Sequence, residues 1–180
     1  VLGSAAEHAV PLRNPTVRRM TSCELPPSIC APDGNVVQTR AYTDGFMSYI
    51  CNGDEWEWIA LYAELSIDGV VLGRHFLSAR DRVAWQWNDG SSVEGVIPDI
   101  LGTVLAPNRA DDIPWLLWAG VNHQGDGVFS NVTFIQRVDT KGGSPDALGE
   151  CEESRTGEVG ESPFSANHVF LVPAEGESDA

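Results

Sequence analysis

Residues 74–95, RHFLSARDRVAWQWNDGSSVEG, place a histidine, three arginines, two aspartates and two tryptophans within about two strand lengths. An imidazole can shuttle a proton or ligate a metal, and a carboxylate can accept one. Indole rings offer a third chemistry: the apolar C–H face of a sugar stacks on them. Trp85 and Trp87 are two positions apart, so on a strand both point to one side, and Trp56 with Trp58 repeat that spacing. His75, Trp85, Trp87 and Asp89, with Arg137 further along the chain, are therefore candidate binding residues. The competing reading is that both tryptophan pairs are core, because tryptophan is usually mostly buried.

These residues need a scaffold, and the turn dipeptides show which kind. Asp-Gly occurs at 33–34, 44–45, 68–69, 89–90 and 126–127, and Asn-Gly at 52–53, between short apolar or alternating runs. Such pairs accept the positive φ of tight hairpin turns, so their repetition predicts an all-β antiparallel domain. A β-sandwich and an irregular β-barrel, disulfide-stapled in either case, both satisfy this pattern. EWIALYAEL also has a helical apolar spacing, but its flanking turns favour a buried strand. Residues 1–34 hold too many prolines for a helix or a central strand and are expected to form an extended arm. The β domain is then expected over 35–151. An acidic segment at 152–180 follows, packing back as a strand near 168–172.

Composition removes several functions. The chain has 180 residues and a formal charge of −15, of which residues 146–180 carry −8. Nucleic acid and anionic lipid would be repelled, since both require clustered Lys and Arg. No apolar run reaches the roughly 18 residues of a spanning helix, so no membrane span is expected. Neither GxGxxG nor GxxxxGK[ST] occurs, no GxSxG elbow marks a nucleophile, and no cysteine or histidine spacing outlines a metal site. No cofactor and no catalytic residue are therefore assigned.

The four cysteines, Cys23, Cys30, Cys51 and Cys151, lack CxxC spacing. The chain starts at Val1 and is read as either a processed mature form or a trimmed one, of which processing fits export, and in that setting the even number suggests two disulfides. Three connectivities exist, and four free thiols are the alternative. The preferred pairing is Cys23–Cys30 and Cys51–Cys151. In GVFSNVTFIQRVDT, alternation sets Asn131, Thr133, Arg137 and Asp139 on a polar face opposite Val132, Phe134 and Val138. NVT is a glycosylation sequon, so Asn131 is a candidate acceptor in a secreted eukaryotic chain.

GFMSYIC around Cys51, LGRHF, WNDGSSVEG, IPWLLW and FIQRVDTKGG leading to Cys151 stand in an order that resembles a family of secreted fungal and bacterial proteins catalogued as a domain of unknown function. The resemblance runs from about Gly45 to Cys151. It implies export and an all-β domain, supports pairing of Cys51 with Cys151, and marks His75, Trp87, Asp89 to Ser91 and Arg137 as family positions. Some members bear a malate-dehydrogenase label, which the missing dinucleotide-binding glycines do not support here.

The leading expectation is a secreted, non-enzymatic protein of the cell wall or matrix whose partner is a glycan or cell-wall polymer. Self-association through IPWLLWAGV or an open strand edge is the alternative. A hydrolase or metal-dependent enzyme is the second alternative, and it requires His75, Asp89 and Arg137 to converge in one pocket.

Overall fold

The computed structural model describes residues 23–98 and 102–174. It contains nine strands: β1 (Asn35–Cys51), β2 (Trp56–Ile67), β3 (Val70–Leu77), β4 (Val83–Trp87), β5 (Ser92–Val96), β6 (Thr103–Val104), β7 (Trp115–Gln124), β8 (Phe134–Gly142) and β9 (Val159–Pro173). Every pairing is antiparallel. Strands β1 to β5, β7, β8 and β9 follow one another around the sheet, and β9 pairs back with β1. The result is a closed barrel of eight staves in chain order, with β6 attached beside the start of β7. Of the two architectures that the turns allow, the barrel is the one formed.

Local chemistry explains the hairpins. Asp68 and Gly69 both have positive φ, 49° and 78°, the geometry that a two-residue turn between β2 and β3 needs. Asp44-Gly45 departs from that pattern, because it lies in the middle of β1. A side chain at Gly45 would collide with the Tyr62 carbonyl and Ala63 of β2, so this glycine permits close strand approach and makes no turn. EWIALYAEL is part of strand β2, as its flanking turns suggest.

Strand alternation divides the barrel. From Ala41 onward the odd-numbered residues of β1, including Ala41, Thr43, Met47 and Tyr49, are buried, while Tyr42, Asp44 and Phe46 are exposed. One apolar layer inside contains Leu65, Trp85, Val93, Trp118, Phe129, Ile135 and Phe170, and a second contains Met47, Tyr49, Leu61, Phe164 and Ala166. Gly95 makes room for the two large indoles, since a Cβ there would sit 2.8 Å from the Trp85 ring and 3.0 Å from Trp118.

Outside β7 and β8 the chain around Ile29 forms a lid. Ile29 packs with Leu117 and Val138, and its carbonyl accepts a 2.7 Å hydrogen bond from the Gln136 amide. Cys23–Cys30 ties off this segment, the described end of the proline-rich arm. Cys51–Cys151 joins the end of β1 to the β8–β9 connection. Residues 1–22, most of the expected arm, lie outside the described residues.

Two expectations change. The return strand foreseen at 168–172 is only the end of a stave running from Val159 to Pro173, whose outward Glu161, Pro163, Ser165 and Asn167 dilute its apolar signal. The polar face assigned to Arg137 is inverted: Arg137 is 5% exposed, and Gln136 and Val138 on the opposite side are also buried. The lid over β8 is the reason, because it buries the outer side of a strand whose inner side already faces the core. In IPWLLWAGV, Leu117 lies under the lid and Trp118 inside the barrel, while Trp115, Leu116 and Val121 are half-buried.

In a chain-entropy account, a crosslink spanning 100 residues removes about 4 to 5 kcal/mol of unfolded-state freedom, against about 2 to 3 kcal/mol for one spanning 7. Replacing Cys51 and Cys151 by serine is therefore expected to lower the urea midpoint more than replacing Cys23 and Cys30, as measured by tryptophan fluorescence.

Candidate functional site

Midway along the barrel the two apolar layers are separated by a polar belt. Thr43, His75 and His168 have no exposed surface, and Arg137 is 5% exposed. Strand register assembles them: His75 lies opposite Ala63 and Trp85, while His168 lies between Ala41 and Arg137. The His75 ring stacks on Trp85 with centroids 4.5 Å apart and an interplanar angle of 4°, and the edge of His168 meets it at 4.9 Å. Thr43 Oγ1 and His168 Nδ1 share a 2.6 Å hydrogen bond.

His75 Nδ1 stands 2.9 Å from the Ala84 carbonyl. A carbonyl can only accept, so Nδ1 carries the proton and Nε2 the lone pair. Nε2 of His75, Nε2 of His168 and Nε1 of Trp85 are all buried without a hydrogen-bond partner. Burial holds His75 far below the usual imidazole range, at about 3; the Ala84 bond opposes this and the charge of Arg137 adds to it. His168 is pushed well below its ordinary value by burial first, then by His75 and Arg137. Burial also lowers Arg137 to about 9, which leaves it charged at neutral pH.

Among the described residues Arg137 has no carboxylate paired with it. Its Nε and Nη2 both donate to the Pro114 carbonyl, at 3.2 and 2.9 Å, and its guanidinium lies 5.3 Å from the Trp118 ring centroid. None of the four ion pairs among the described residues includes it. The belt thus has bases, a cation and indoles, but no acid to complete a proton relay.

The residues singled out from the sequence fall into two groups. His75, Trp85 and Arg137 meet in this belt. Asp89 does not join them: its carboxylate accepts from the Ser91 amide and hydroxyl and from the Val128 amide, clipping the β4–β5 turn to the β7–β8 connection. Those hydrogen bonds, with that of the Ser91 hydroxyl named first, hold the carboxyl below its usual range. The pocket joining His75, Asp89 and Arg137 is therefore not formed. Trp87 packs its ring against Phe129 at 5.3 Å. Trp85 has no exposed surface, so it serves as core and presents no ring to a sugar. In the other pair, Trp56 donates to the Gly149 carbonyl and lies under the Arg155 guanidinium, while Trp58 is 42% exposed.

A second arrangement went unnoticed in the sequence. On the outer wall Phe46 stands opposite Tyr62, and Tyr62 opposite Phe76, forming an aromatic row across β1, β2 and β3. One step along the strands, Asp44, Glu64, Arg74 and Gln86 form a parallel polar row across β1 to β4. Tyr42, Phe46 and Tyr62 are 49%, 47% and 55% exposed, values high enough for their rings to receive a ligand. Arg74 is held in place, with Nε and Nη2 donating to Gln86 Oε1 at 2.9 and 2.6 Å and its guanidinium 4.8 Å from the Phe76 centroid. A groove of about 190 Å³ borders this wall, lined by Tyr62, Glu64, Arg74, Gln86, Trp87 and Asn88 among others. The available signal was Tyr42 and Phe46, four positions apart on one strand and so on one face, but cross-strand alignment depends on register. His168 was missed because its strand was read as a short appendage.

The two sites respond differently to truncation. Trp85→Ala is expected to cost about 3 to 5 kcal/mol of stability, the usual cost of emptying a large core position. Tyr62→Ala, on the outer wall, is expected to change stability by no more than about 1 kcal/mol. Paired urea titrations of the two variants measure this contrast.

Among the described residues no helix is long and apolar enough to cross a membrane, and no group of three or more His, Cys, Asp or Glu is placed to hold a metal ion. No curated protein and no solved structure matches the chain. Residues 62–172 match the family described as Protein of unknown function (DUF3455). The match starts later than the motif resemblance suggested and runs through most of β9, leaving out β1. It covers more than half of the 180 residues, with the belt and the outer wall largely inside it, and the chain belongs to this family.

Proposed function

We propose that this protein is a secreted, non-enzymatic barrel that holds a glycan or cell-wall polymer against the outer wall of β1 to β4. The observation that carries the reading is the register-aligned row Phe46, Tyr62 and Phe76 beside the polar row Asp44, Glu64, Arg74 and Gln86. Strands lie about 4.8 Å apart, so the aromatic row spans roughly 10 Å across the sheet. Flat rings can take the C–H faces of successive sugars, while the neighbouring carboxylates, amide and guanidinium exchange hydrogen bonds with ring hydroxyls. The charge of −15 disfavours polyanionic chains, so an uncharged polysaccharide is the preferred class.

Two disulfides and the all-β architecture suit an oxidising, extracellular setting. Asn131 lies exposed in the turn before β8, and we assign it as the carbohydrate acceptor when the chain passes through a eukaryotic secretory pathway. In such a host, Asn131→Gln is expected to remove a mass increment that glycosidase treatment also removes.

Affinity electrophoresis in gels containing uncharged cell-wall polysaccharides tests the main reading. The wild-type chain is expected to be retarded by at least one of them, and Tyr62→Ala and Phe46→Ala to lose at least about tenfold in affinity while keeping their unfolding midpoints. Dimer formation abolished by the same substitutions, without retardation, would instead assign the wall to self-contact. Undiminished binding by both variants would overturn the assignment.

A further inference from the structure

The belt and the outer wall are two sides of the same strands. Thr43 precedes Asp44, Ala63 precedes Glu64, Arg74 precedes His75 and Trp85 precedes Gln86, with each inward residue adjoining an outward one. Whatever displaces the belt must displace the wall. We propose that His75 and His168 form an acid-triggered catch, so that the barrel keeps the β1–β4 wall assembled only while both imidazoles are neutral.

The geometry leaves no place for an imidazolium. His75 already uses Nδ1 on the Ala84 carbonyl, so a second proton must enter at Nε2, which has no acceptor. Around the pair, β1 contributes Thr43, β2 Ala63 and Leu65, β4 Trp85, β7 Trp118 and β8 Arg137. Among the described residues Arg137 is the one permanently charged group near them. It is a cation, and its guanidinium is committed to Pro114 and Trp118. Tyr49, the other titratable group beside Arg137, donates its hydroxyl to the Gly143 carbonyl and is raised by burial, so it stays neutral in acid. The carboxylates in ion pairs belong elsewhere: Glu94 with Arg80 and Arg82, Asp112 with Lys141, and Glu158 with Arg155.

Protonation therefore favours the opened chain. Both imidazoles are depressed in the folded state, His75 from 6.5 to about 3, so their contribution is complete above about pH 6.5 and is lost as pH falls toward 3. Each histidine takes up one proton on opening, and the ratio of folded to open chain falls about tenfold per pH unit for each, or about 100-fold for the pair. From pH 7.5 to 4.5 the fall is about 10,000-fold. That is a large fraction of the stability of an ordinary domain.

The experiment is urea unfolding of the whole oxidised chain, followed by near-ultraviolet circular dichroism at pH 7.5, 6.5, 5.5 and 4.5. A stability loss of about 10,000-fold between pH 7.5 and 4.5, reversed on neutralisation, is expected. His75→Gln and His168→Asn are each expected to reduce it to about 100-fold. An unchanged midpoint across that range would overturn the proposal, as would a full loss retained in both variants, which would place the protons on carboxylates. Should a variant not fold, nitrogen-15 spectra of wild-type imidazoles decide: both rings neutral in the folded chain at pH 5 is the expected result, and either one titrating near 6.5 refutes the catch. These readouts do not depend on glycan binding. With a ligand in hand, release in parallel with barrel opening would connect the two.

Discussion

Closure of the sheet between its first and last long strands is the constraint on which everything else rests. Strand β1 pairs with β9 from Asn35 opposite Pro173 to Ile50 opposite Val159, interrupted by a single irregularity near Val37. Without that seam the eight staves would form an open sheet with two long unpaired edges, and the apolar residues lining its inner side would lack a facing wall. Closure joins residues more than 100 positions apart, so this contact carries the largest single loop-closure cost in the sheet. The Cys51–Cys151 bridge lies at one end of the seam. It anchors the end of β1 to the connection that leads into β9, and thereby limits how far the two can separate in the unfolded chain.

A closed barrel of eight strands has an interior that side chains can fill, and this one is filled unevenly. Indoles and phenylalanines crowd one layer and smaller residues the other, with glycines placed where the large rings need space. Between these layers the polar belt is costly. It contains two imidazoles, an indole N–H without a partner and a guanidinium without a counter-ion. A purely apolar belt would serve folding at least as well, since burying an unpaired polar group costs on the order of 1 to 3 kcal/mol. A belt of this kind is therefore better explained by a use than by stability, and sensitivity to acid is the use that its geometry supports.

The outer wall has the opposite character. Its aromatic rings do not support the core, and three of them remain substantially exposed. Alternation along each strand means that the inner and outer sets cannot be moved independently. The residue that packs the barrel and the residue that faces a ligand are neighbours in the chain, so a change inside is transmitted outward through one peptide unit.

Much of the fold was legible in the residues themselves. Asp68-Gly69 marked a hairpin, EWIALYAEL was a strand because turns flanked it, and the four cysteines paired as their spacing and motif context suggested. Local backbone chemistry decides such features, and local chemistry is written in neighbouring residues. Arg137 shows where that stops. Its own strand assigned it to a polar surface, yet the lid from residues 25–31 covered the other side and the barrel enclosed it. Asp89, suggestive beside His75 in the chain, was taken up by a turn, while His168, 93 positions away from His75, became its partner. The sequence by itself determined strand, turn and crosslink, because each depends on conformational preferences within a few residues. Only the tertiary structure decided which residues share the belt and which form the aromatic wall, because register and closure are set by the summed burial of all eight staves.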